Sequence, residues 1–183
     1  ARRAHIIIVT KCRPELPESE RNKIRNELKI LPHQQLFFTT IRYGIPYHII
    51  SRINKPLNRN MEVLLVCGIA NPEPLKKYLH EETMTYEACY FDDHHIFGVD
   101  DLREISQRFE NMDSAEKIII TTEKDAVRLI KYREKLKNMP FYVLPITVSF
   151  LFNETSRFND LITNFITGFT YSETKPMKSK HSL

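Results

Sequence analysis

The sequence predicts an α/β fold, a three-layer sandwich in which a mostly parallel sheet lies between helices. Short apolar, β-branched segments alternate along the chain with amphipathic, helix-like segments. Strands that are joined through helices pair in parallel with right-handed crossovers. The chain has 183 residues, of which 42% are hydrophobic and 27% charged, so it is long enough to bury a sizeable core. We expect one α/β domain over residues 1–170, with a Rossmann-like sheet.

Strands are predicted where apolar residues run together without helical spacing. The last of them contains Pro145, which favours an edge position because proline has no N–H to donate. The polar stretch 44–60 is rich in turn formers and is expected to be a loop or hairpin connection. The predicted strands are residues 5–9, 36–41, 62–67, 86–91, 117–120 and 141–150.

Helices are predicted where apolar residues recur every three to four positions. Pro32 stops the first helix, Asn71 and Pro72 start the second, and Thr122 caps the fourth. An apolar stripe on the last helix is expected to face the core; it consists of Phe158, Leu161, Ile162, Phe165 and Phe169. The predicted helices are residues 19–31, 73–80, 100–112, 123–136 and 155–169. Residues 171–183 lack periodicity and are expected to form a disordered, lysine-rich tail.

Composition excludes several classes of protein. A formal charge of +4 is compatible with anionic substrates, phosphates or a membrane face. The three cysteines lack metal-ligand spacing and are expected to be reduced core thiols in a cytosolic setting. No apolar run approaches the ~18 residues of a membrane span, and no signal peptide is visible. The four glycines are too far apart to form a phosphate-cradling Walker A loop. Because the sequence runs from Ala1 directly into a strand, we expect the chain to be a fragment.

The segment Phe91-Asp92-Asp93-His94-His95 is the strongest candidate for chemistry. It follows an apolar strand, and ligands bind outside the carboxyl ends of parallel strands. Asp93 can orient an imidazole, and Asp93 or His94 can take a proton from a substrate hydroxyl. The alternative is that the cluster has only a capping or surface role. Perturbed polar groups also occur in structural networks.

A second polar cluster, which begins at Thr121 and Thr122, follows another apolar strand and opens a helix. Hydroxyl and N–H groups at a helix start can bind a phosphate, although ordinary capping explains Thr122 equally well. Lys124 and Arg128 then place two cations on one helical face near that start, where cations are normally disfavoured. An anion site is one explanation for them.

Two further residues could belong to the same anion site. Thr10 and Lys11 follow the first strand in an equivalent way, with a solvated lysine as the alternative. We therefore expect Thr10, Asp93, His94 and Thr122 to share one edge of the sheet.

Metal binding by this chain is not expected. His94 and His95 stand beside Asp92 and Asp93, and together these residues offer four candidate ligands. Neighbouring side chains point in different directions, however, so one cation can hardly use all of them.

Taken in order, five motifs resemble the carboxyl-terminal half of tetraacyldisaccharide 4'-kinase, the lipid A 4'-kinase of Gram-negative bacteria. The resemblance covers roughly residues 1 to 170 and leaves out the tail. The motifs are Arg3-Ala4-His5-Ile6-Ile7-Ile8-Val9-Thr10-Lys11-Cys12, Phe37-Phe38-Thr39, Gly68-Ile69-Ala70-Asn71-Pro72, Phe91 to His95, and Thr121-Thr122-Glu123-Lys124-Asp125-Ala126-Val127-Arg128-Leu129.

The resemblance implies a P-loop-kinase-like fold and ATP-dependent phosphorylation of the 4'-hydroxyl of an acylated glucosamine disaccharide 1-phosphate. ATP and Mg²⁺ would be bound mainly by an amino-terminal P-loop domain that is absent from this chain, so the chain alone should be inactive. That domain would also supply an aspartate general base and the contact with the cytoplasmic face of the inner membrane, while this chain stays soluble. No nucleic acid is implied. By the motif, Asp93 and His94 form an acid–histidine pair that assists the general base, with His95 as an orienting neighbour or the acting imidazole.

Two alternatives come from other functional classes. One is a non-catalytic α/β module that binds an anionic ligand or partner through Lys11, Lys124 and Arg128. The other is a phosphoesterase with an Asp-His-His motif, which would need additional metal-binding aspartates upstream that this sequence does not arrange suitably. A Gly-rich Lys-Thr/Ser loop upstream of Ala1 in the parent reading frame would favour the kinase.

Overall fold

The computed structural model describes residues 3–173, and side chains within residues 3–168. Its helices and strands alternate as predicted, which confirms the α/β class. In chain order the elements are β1 Ile6–Val9, α1 Glu18–Leu28, β2 Gln35–Tyr43, β3 Tyr47–His48, β4 Glu62–Cys67, α2 Glu73–Glu82, β5 Thr85–Tyr90, α3 Val99–Glu110, β6 Lys117–Thr122, α4 Glu123–Leu129, a 3₁₀ turn Ile130–Tyr132, α5 Arg133–Leu136, β7 Phe141–Leu144, β8 Ile146–Phe150 and α6 Thr155–Glu173.

The chain divides into two compact units, where the sequence suggested one domain over residues 1–170. The first unit comprises the residues up to Arg42 together with those from Val148 onward, and the second comprises Tyr43–Thr147. Accordingly there are two sheets, one of three strands in the order β1-β2-β8 and one of five strands in the order β3-β7-β6-β4-β5.

In the first unit, β1 and β2 pair in parallel, with Ile6 opposite Gln35 and Val9 opposite Phe38. The small core of this unit is built from apolar side chains of the strands and the segments around them. Its buried members are Leu16, Leu36, Phe38 and Leu151.

The apolar stripe of α6 is only partly buried. Phe158 makes edge-on and tilted ring contacts with Phe37 and Phe150, with centroids 5.4 and 4.6 Å apart. Further along the helix, however, Phe165 is 73% exposed and Ile162 is also exposed. The prediction that the whole stripe is core is therefore wrong, because the aromatic contacts of the strands reach only the start of the helix. The side chain of Phe169 lies outside the described residues.

The second unit is a three-layer sandwich. Strands β5, β4, β6 and β7 are parallel, and the two-residue β3 pairs antiparallel with β7. Leu75 and Leu79 of α2 pack on one face of the sheet with alternate β4 residues, Val63 and Leu65. Leu102 and Ile105 of α3 pack on the opposite face with the other β4 residues, Leu64 and Val66. The period-two alternation of β4 thus separates the two helical layers.

Three predicted boundaries were wrong. The expected strand over 141–150 is two strands in two sheets, because Pro145 cannot donate to a ladder; instead, its carbonyl accepts a bond from the Gly44 N–H at 2.9 Å. The expected helix over 123–136 is interrupted by the 3₁₀ turn. The first helix ends early, at Lys29, which has a left-handed φ of 49°. In addition, α6 continues to Glu173, so the start of the predicted tail is helical, while residues 174–183 lie outside the described part of the chain.

The cysteines are free thiols, as predicted. Cys67 and Cys89 are buried, and Cys12 is half-buried. Burial raises the pKa of the Cys67 thiol to about 11, so this thiol stays protonated and unreactive at neutral pH. Within residues 3–173, none of the helices has the length and apolar character needed to span a bilayer.

Candidate active site

The candidate site lies in the second unit, at the edge of the sheet where the parallel strands end. Strand β4 runs between β5 and β6, so the segments that follow these three strands meet at one edge. The chain leaves β4 toward α2 on one face, while α3 and α4 pack on the other. Open α/β sheets bind ligands at the carboxyl ends of the strands, at such a switch of direction.

The segment after β5 turns sharply at His94. The N–H of His95 donates to the carbonyl of Asp92 at 3.0 Å, which closes the turn. His94 itself has a left-handed φ of 67°, a conformation that few non-glycine residues adopt, although histidine is enriched there. Its side chain is 72% exposed. Unusual backbone conformations of this kind cluster at functional sites.

Asp93 is held by a lysine of the neighbouring element. The Nζ atom of Lys124 on α4 lies 2.5 Å from Oδ1 of Asp93. This hydrogen bond lowers the pKa of the Asp93 carboxyl below its usual range; desolvation opposes the effect, and the charge of His94 adds to it. Asp93 is therefore an anion at neutral pH.

The two ring nitrogens of His94 have different surroundings. Nη2 of Arg128 lies 3.0 Å from Nδ1 of His94. On the other side of the ring, Oδ2 of Asp93 lies 3.7 Å from Nε2, which is beyond direct hydrogen-bond distance. The imidazole is thus anchored at one nitrogen and open at the other.

Beneath these exposed groups, Asp125 of α4 is fully buried. Its Oδ2 accepts hydrogen bonds from the Gly68 N–H at 3.0 Å and from the Thr122 hydroxyl at 2.8 Å. Its Oδ1 lies 3.4 Å from Nη1 of Arg128. A buried carboxylate needs such partners, since an unpaired one is strongly destabilising. Asp125 therefore ties the segment after β4 to the start of α4.

His95 has a structural environment. Its Nε2 lies 2.8 Å from Oδ2 of Asp101, the same oxygen that accepts the Gly98 N–H at 2.7 Å. The ring stacks on Phe91 at 4.7 Å between centroids and meets Phe97 edge-on at 5.1 Å. Burial raises the pKa of Asp101, but the bonds from Gly98 and His95 outweigh it, so the pKa is lowered on balance. His95 thus fixes the β5 segment onto the start of α3.

The remaining predicted phosphate ligands fall into two groups. In the second unit, the Thr122 hydroxyl is engaged as the cap of α4, accepting the Asp125 N–H at 3.1 Å, and Thr121 is fully buried in β6. Thr10 and Lys11 are exposed at the end of β1 and belong to the first unit. They follow β1 of the three-stranded sheet, whereas Asp93, His94 and Thr122 lie at the ends of strands of the five-stranded sheet. The prediction that all four residues share one edge of a single sheet is therefore wrong.

Two residues that shape the site, Asp125 and Gly68, were not predicted from the sequence to have a role in it. A detectable signal for Asp125 was its spacing from Thr122, since an N-cap hydroxyl followed three residues later by an acid is a capping-box pattern. The role of Gly68 is steric and can be seen only in the structure. A Cβ built at this position would lie 2.9 Å from the carbonyl oxygen of Asp92 and 3.4 Å from Oδ1 of Asp125.

The acidic and imidazole side chains near the site pair with other groups of the described residues and do not converge on one point. Among these described residues, no group of three or more His, Cys, Asp and Glu side chains forms a ligand set, despite the run from Asp92 to His95. Asp93 is instead paired with Lys124, and His95 with Asp101. These residues do not fit Mg²⁺, so no step of the chemistry is assigned to a metal held by this chain.

The fold and the site together define an α/β protein with an acid–imidazole pair at the carboxyl edge of a parallel sheet. The family model for tetraacyldisaccharide-1-P 4'-kinase matches residues 1–167. The chain belongs to this family, which confirms the resemblance seen in its motifs.

Individual relatives agree with the family assignment. The chain is 39% identical over 179 residues to the tetraacyldisaccharide 4'-kinase of Bacteroides thetaiotaomicron, covering 90% of this chain and 47% of the relative. It is 38% identical to the enzyme of the same name from Flavobacterium johnsoniae, covering 91% of this chain and 46% of the relative. The chain thus spans about half the length of the curated relatives it matches. Among solved structures, LpxK from Aquifex aeolicus in complex with ATP matches with a TM-score of 0.45 and 13% identity, over 87% of this chain and 51% of that one.

Proposed function

We propose that this chain is the carboxyl-terminal part of an ATP-dependent kinase that phosphorylates the 4'-hydroxyl of tetraacyldisaccharide 1-phosphate. The family match over residues 1–167 and the names of the curated relatives support this reaction. The observation that carries the proposal is the exposed His94 beside the ionised Asp93 at the carboxyl edge of the sheet. An acceptor hydroxyl needs such a polar, accessible group to orient it.

His94 is the imidazole that acts on the acceptor hydroxyl in this proposal, and His95 is not. His94 is 72% exposed and has one ring nitrogen open, whereas His95 is 29% exposed and bonded to Asp101. Asp93 keeps negative charge near the ring and, through its bond to Lys124, holds the loop against α4. The residue that finally takes the hydroxyl proton lies in the other half of the kinase, as the family resemblance implies.

Lys124 is the proposed phosphate-binding cation of this unit, and Arg128 is the cation that supports His94. Their present partners are Asp93 for Lys124, and His94 and Asp125 for Arg128. The Lys124–Asp93 pair is partly exposed, and such pairs exchange partners at little cost. Thr121 and Thr122 have structural roles in this proposal, because one is buried and the other is a helix cap.

ATP would supply the phosphoryl group, and nucleotide and Mg²⁺ would be held by the half of the kinase that this chain does not span. Phosphoryl transfer relies on positioning and on neutralising the phosphate charge. The groups described here can position an acceptor but do not hold a metal. The proposed site of action is the cytoplasmic face of the inner membrane, because the acceptor is an acylated disaccharide.

The test is a transfer assay with the complete protein encoded by the parent gene. Radiolabelled ATP and tetraacyldisaccharide 1-phosphate in detergent micelles should give a lipid labelled at the 4' position. A substrate with the 4'-hydroxyl removed is the control and should stay unlabelled. The 183-residue chain alone should transfer no phosphate. A complete protein that binds inorganic phosphate but labels no lipid would favour the non-catalytic anion-binding alternative, and metal-dependent hydrolysis of a phosphodiester by the chain would favour the phosphoesterase.

A further inference from the structure

The contact between Arg128 and His94 determines which ring nitrogen carries the proton. A guanidinium is a permanent donor and has no acceptor atom. Its Nη2 lies 3.0 Å from Nδ1 of His94, so Nδ1 must accept in this contact. The neutral ring then has its proton on Nε2.

Arg128 is itself held in place from below. Its Nη1 lies 3.4 Å from Oδ1 of Asp125, whose side chain is fully buried. The other oxygen of Asp125 is bonded to the Gly68 N–H and to the Thr122 hydroxyl, so the carboxylate cannot rotate without losing both. The Arg128 side chain is only 24% exposed. The Arg128 side chain is therefore held in place where it contacts His94.

On the other side of the His94 ring, Nε2 faces the carboxylate of Asp93. Oδ2 of Asp93 lies 3.7 Å from Nε2, and Oδ1 of the same carboxylate is bonded to Lys124. At that distance Asp93 attracts the Nε2–H group without taking its hydrogen bond. The Nε2–H group is thus free to donate to a ligand.

We propose that Arg128 is a positioning residue that fixes His94 as the Nε2–H tautomer, so that His94 donates a hydrogen bond to the oxygen of the acceptor hydroxyl. In this arrangement His94 orients the hydroxyl and does not accept its proton, because the only lone pair of the neutral ring is occupied by Arg128. The identity of the acceptor rests on the proposed function. The tautomer of His94 does not depend on the proposed function, and it can be measured without any enzyme activity.

The first test is nitrogen NMR of the His94 ring in the ¹⁵N-labelled 183-residue chain. At a pH well above the ordinary imidazole range, long-range proton–nitrogen correlations distinguish a protonated ring nitrogen from an unprotonated one. The wild-type ring should be almost entirely Nε2–H. In Arg128→Met the ring should relax to a mixture of both tautomers, and Arg128→Lys, which keeps a donor, should restore much of the wild-type pattern. Arg103→Met, which removes an exposed arginine paired with Asp100, is the control and should change nothing.

A second measurement separates this inference from the proposed function. In the complete kinase, Arg128→Met should lower kcat by about 10- to 100-fold with little change in KM for the lipid, because a misplaced group costs rate more than binding. A complete protein without kinase activity would reject the proposed function and leave the tautomer result standing. If Arg128→Met does not fold, the wild-type ring decides, since the inference requires its proton to be on Nε2. An Nδ1–H ring in the wild-type chain, or a tautomer and kcat that Arg128→Met leaves unchanged, would overturn the inference.

Discussion

Nε2 of His95 lies 2.8 Å from Oδ2 of Asp101, while the neighbouring His94 turns outward with its ring exposed. Two adjacent histidines therefore have different roles, one in holding the β5 segment onto α3 and one in facing ligands. The difference follows from the turn at His94, whose left-handed backbone directs successive side chains to different surroundings.

Replacing His95 by Phe should keep the aromatic packing but remove the bond to Asp101. We expect a loss of about 1 kcal/mol in the free energy of unfolding, because the Asp101 carboxylate keeps the Gly98 N–H as a partner. Urea unfolding of the 183-residue chain measures it. His94→Asn, which tolerates the same backbone conformation, is the matched control and should change the free energy by less than about 0.5 kcal/mol. The reverse order of effects would contradict the assignment of the two rings.

Gly68→Ala should disturb the site through steric overlap. The added Cβ would lie 2.9 Å from the Asp92 carbonyl oxygen, a backbone atom that cannot move alone. We expect a loss of about 1–3 kcal/mol in stability and shifted amide resonances over residues 92–95. Gly98→Ala is the control, since its Cβ would meet nothing nearer than Oδ2 of Asp101 at 3.7 Å. Unchanged resonances in Gly68→Ala would show that the two segments are not in close contact.

Thr121 and Thr122 should respond in opposite directions to substitution by valine. Within the described residues, the Thr121 hydroxyl is buried without a hydrogen-bond partner, so Thr121→Val should raise stability by about 1 kcal/mol. Thr122→Val removes the cap of α4 and a bond to Asp125, and should lower stability by about 1–2 kcal/mol. Thermal unfolding of both variants measures this. If Thr121→Val instead lost both stability and kinase activity, the hydroxyl would be a ligand-binding group.

The carboxyl group of Asp93 should titrate below the ordinary range for aspartate. Its lowered folded-state pKa means that the contact with Lys124 is complete above the usual aspartate pKa and is lost as the pH falls through the lowered value. In Lys124→Met the pKa should rise toward the ordinary value. Carbon-detected NMR of the side-chain carboxyl, with Lys131→Met as the control on the following turn, provides the measurement. An Asp93 pKa that is the same with and without Lys124 would show that the two side chains do not form an ion pair in solution.

Much of this architecture could be read from residue patterns, and the failures have local causes. Strand β4 was predicted correctly because an unbroken apolar run between turn formers has few alternatives. Residues 141–150 were misread as one strand because period-two alternation does not show that Pro145 separates two sheets. In the site, the pattern identified Asp93 and His94, but it could not show that Asp125 is buried or that His95 is bonded to Asp101, since both depend on contacts between distant segments.

Comparing His94→Gln with His95→Gln in the complete kinase separates the roles of the two rings. We expect His94→Gln to lower kcat by about 10- to 100-fold, because a misplaced acceptor hydroxyl costs rate, with an unchanged melting temperature and nucleotide affinity. His95→Gln should instead lower the melting temperature and keep most of the turnover below it. Near-normal kcat in a destabilised His94→Gln enzyme would instead show that His94 has a structural role and does not act on the acceptor hydroxyl.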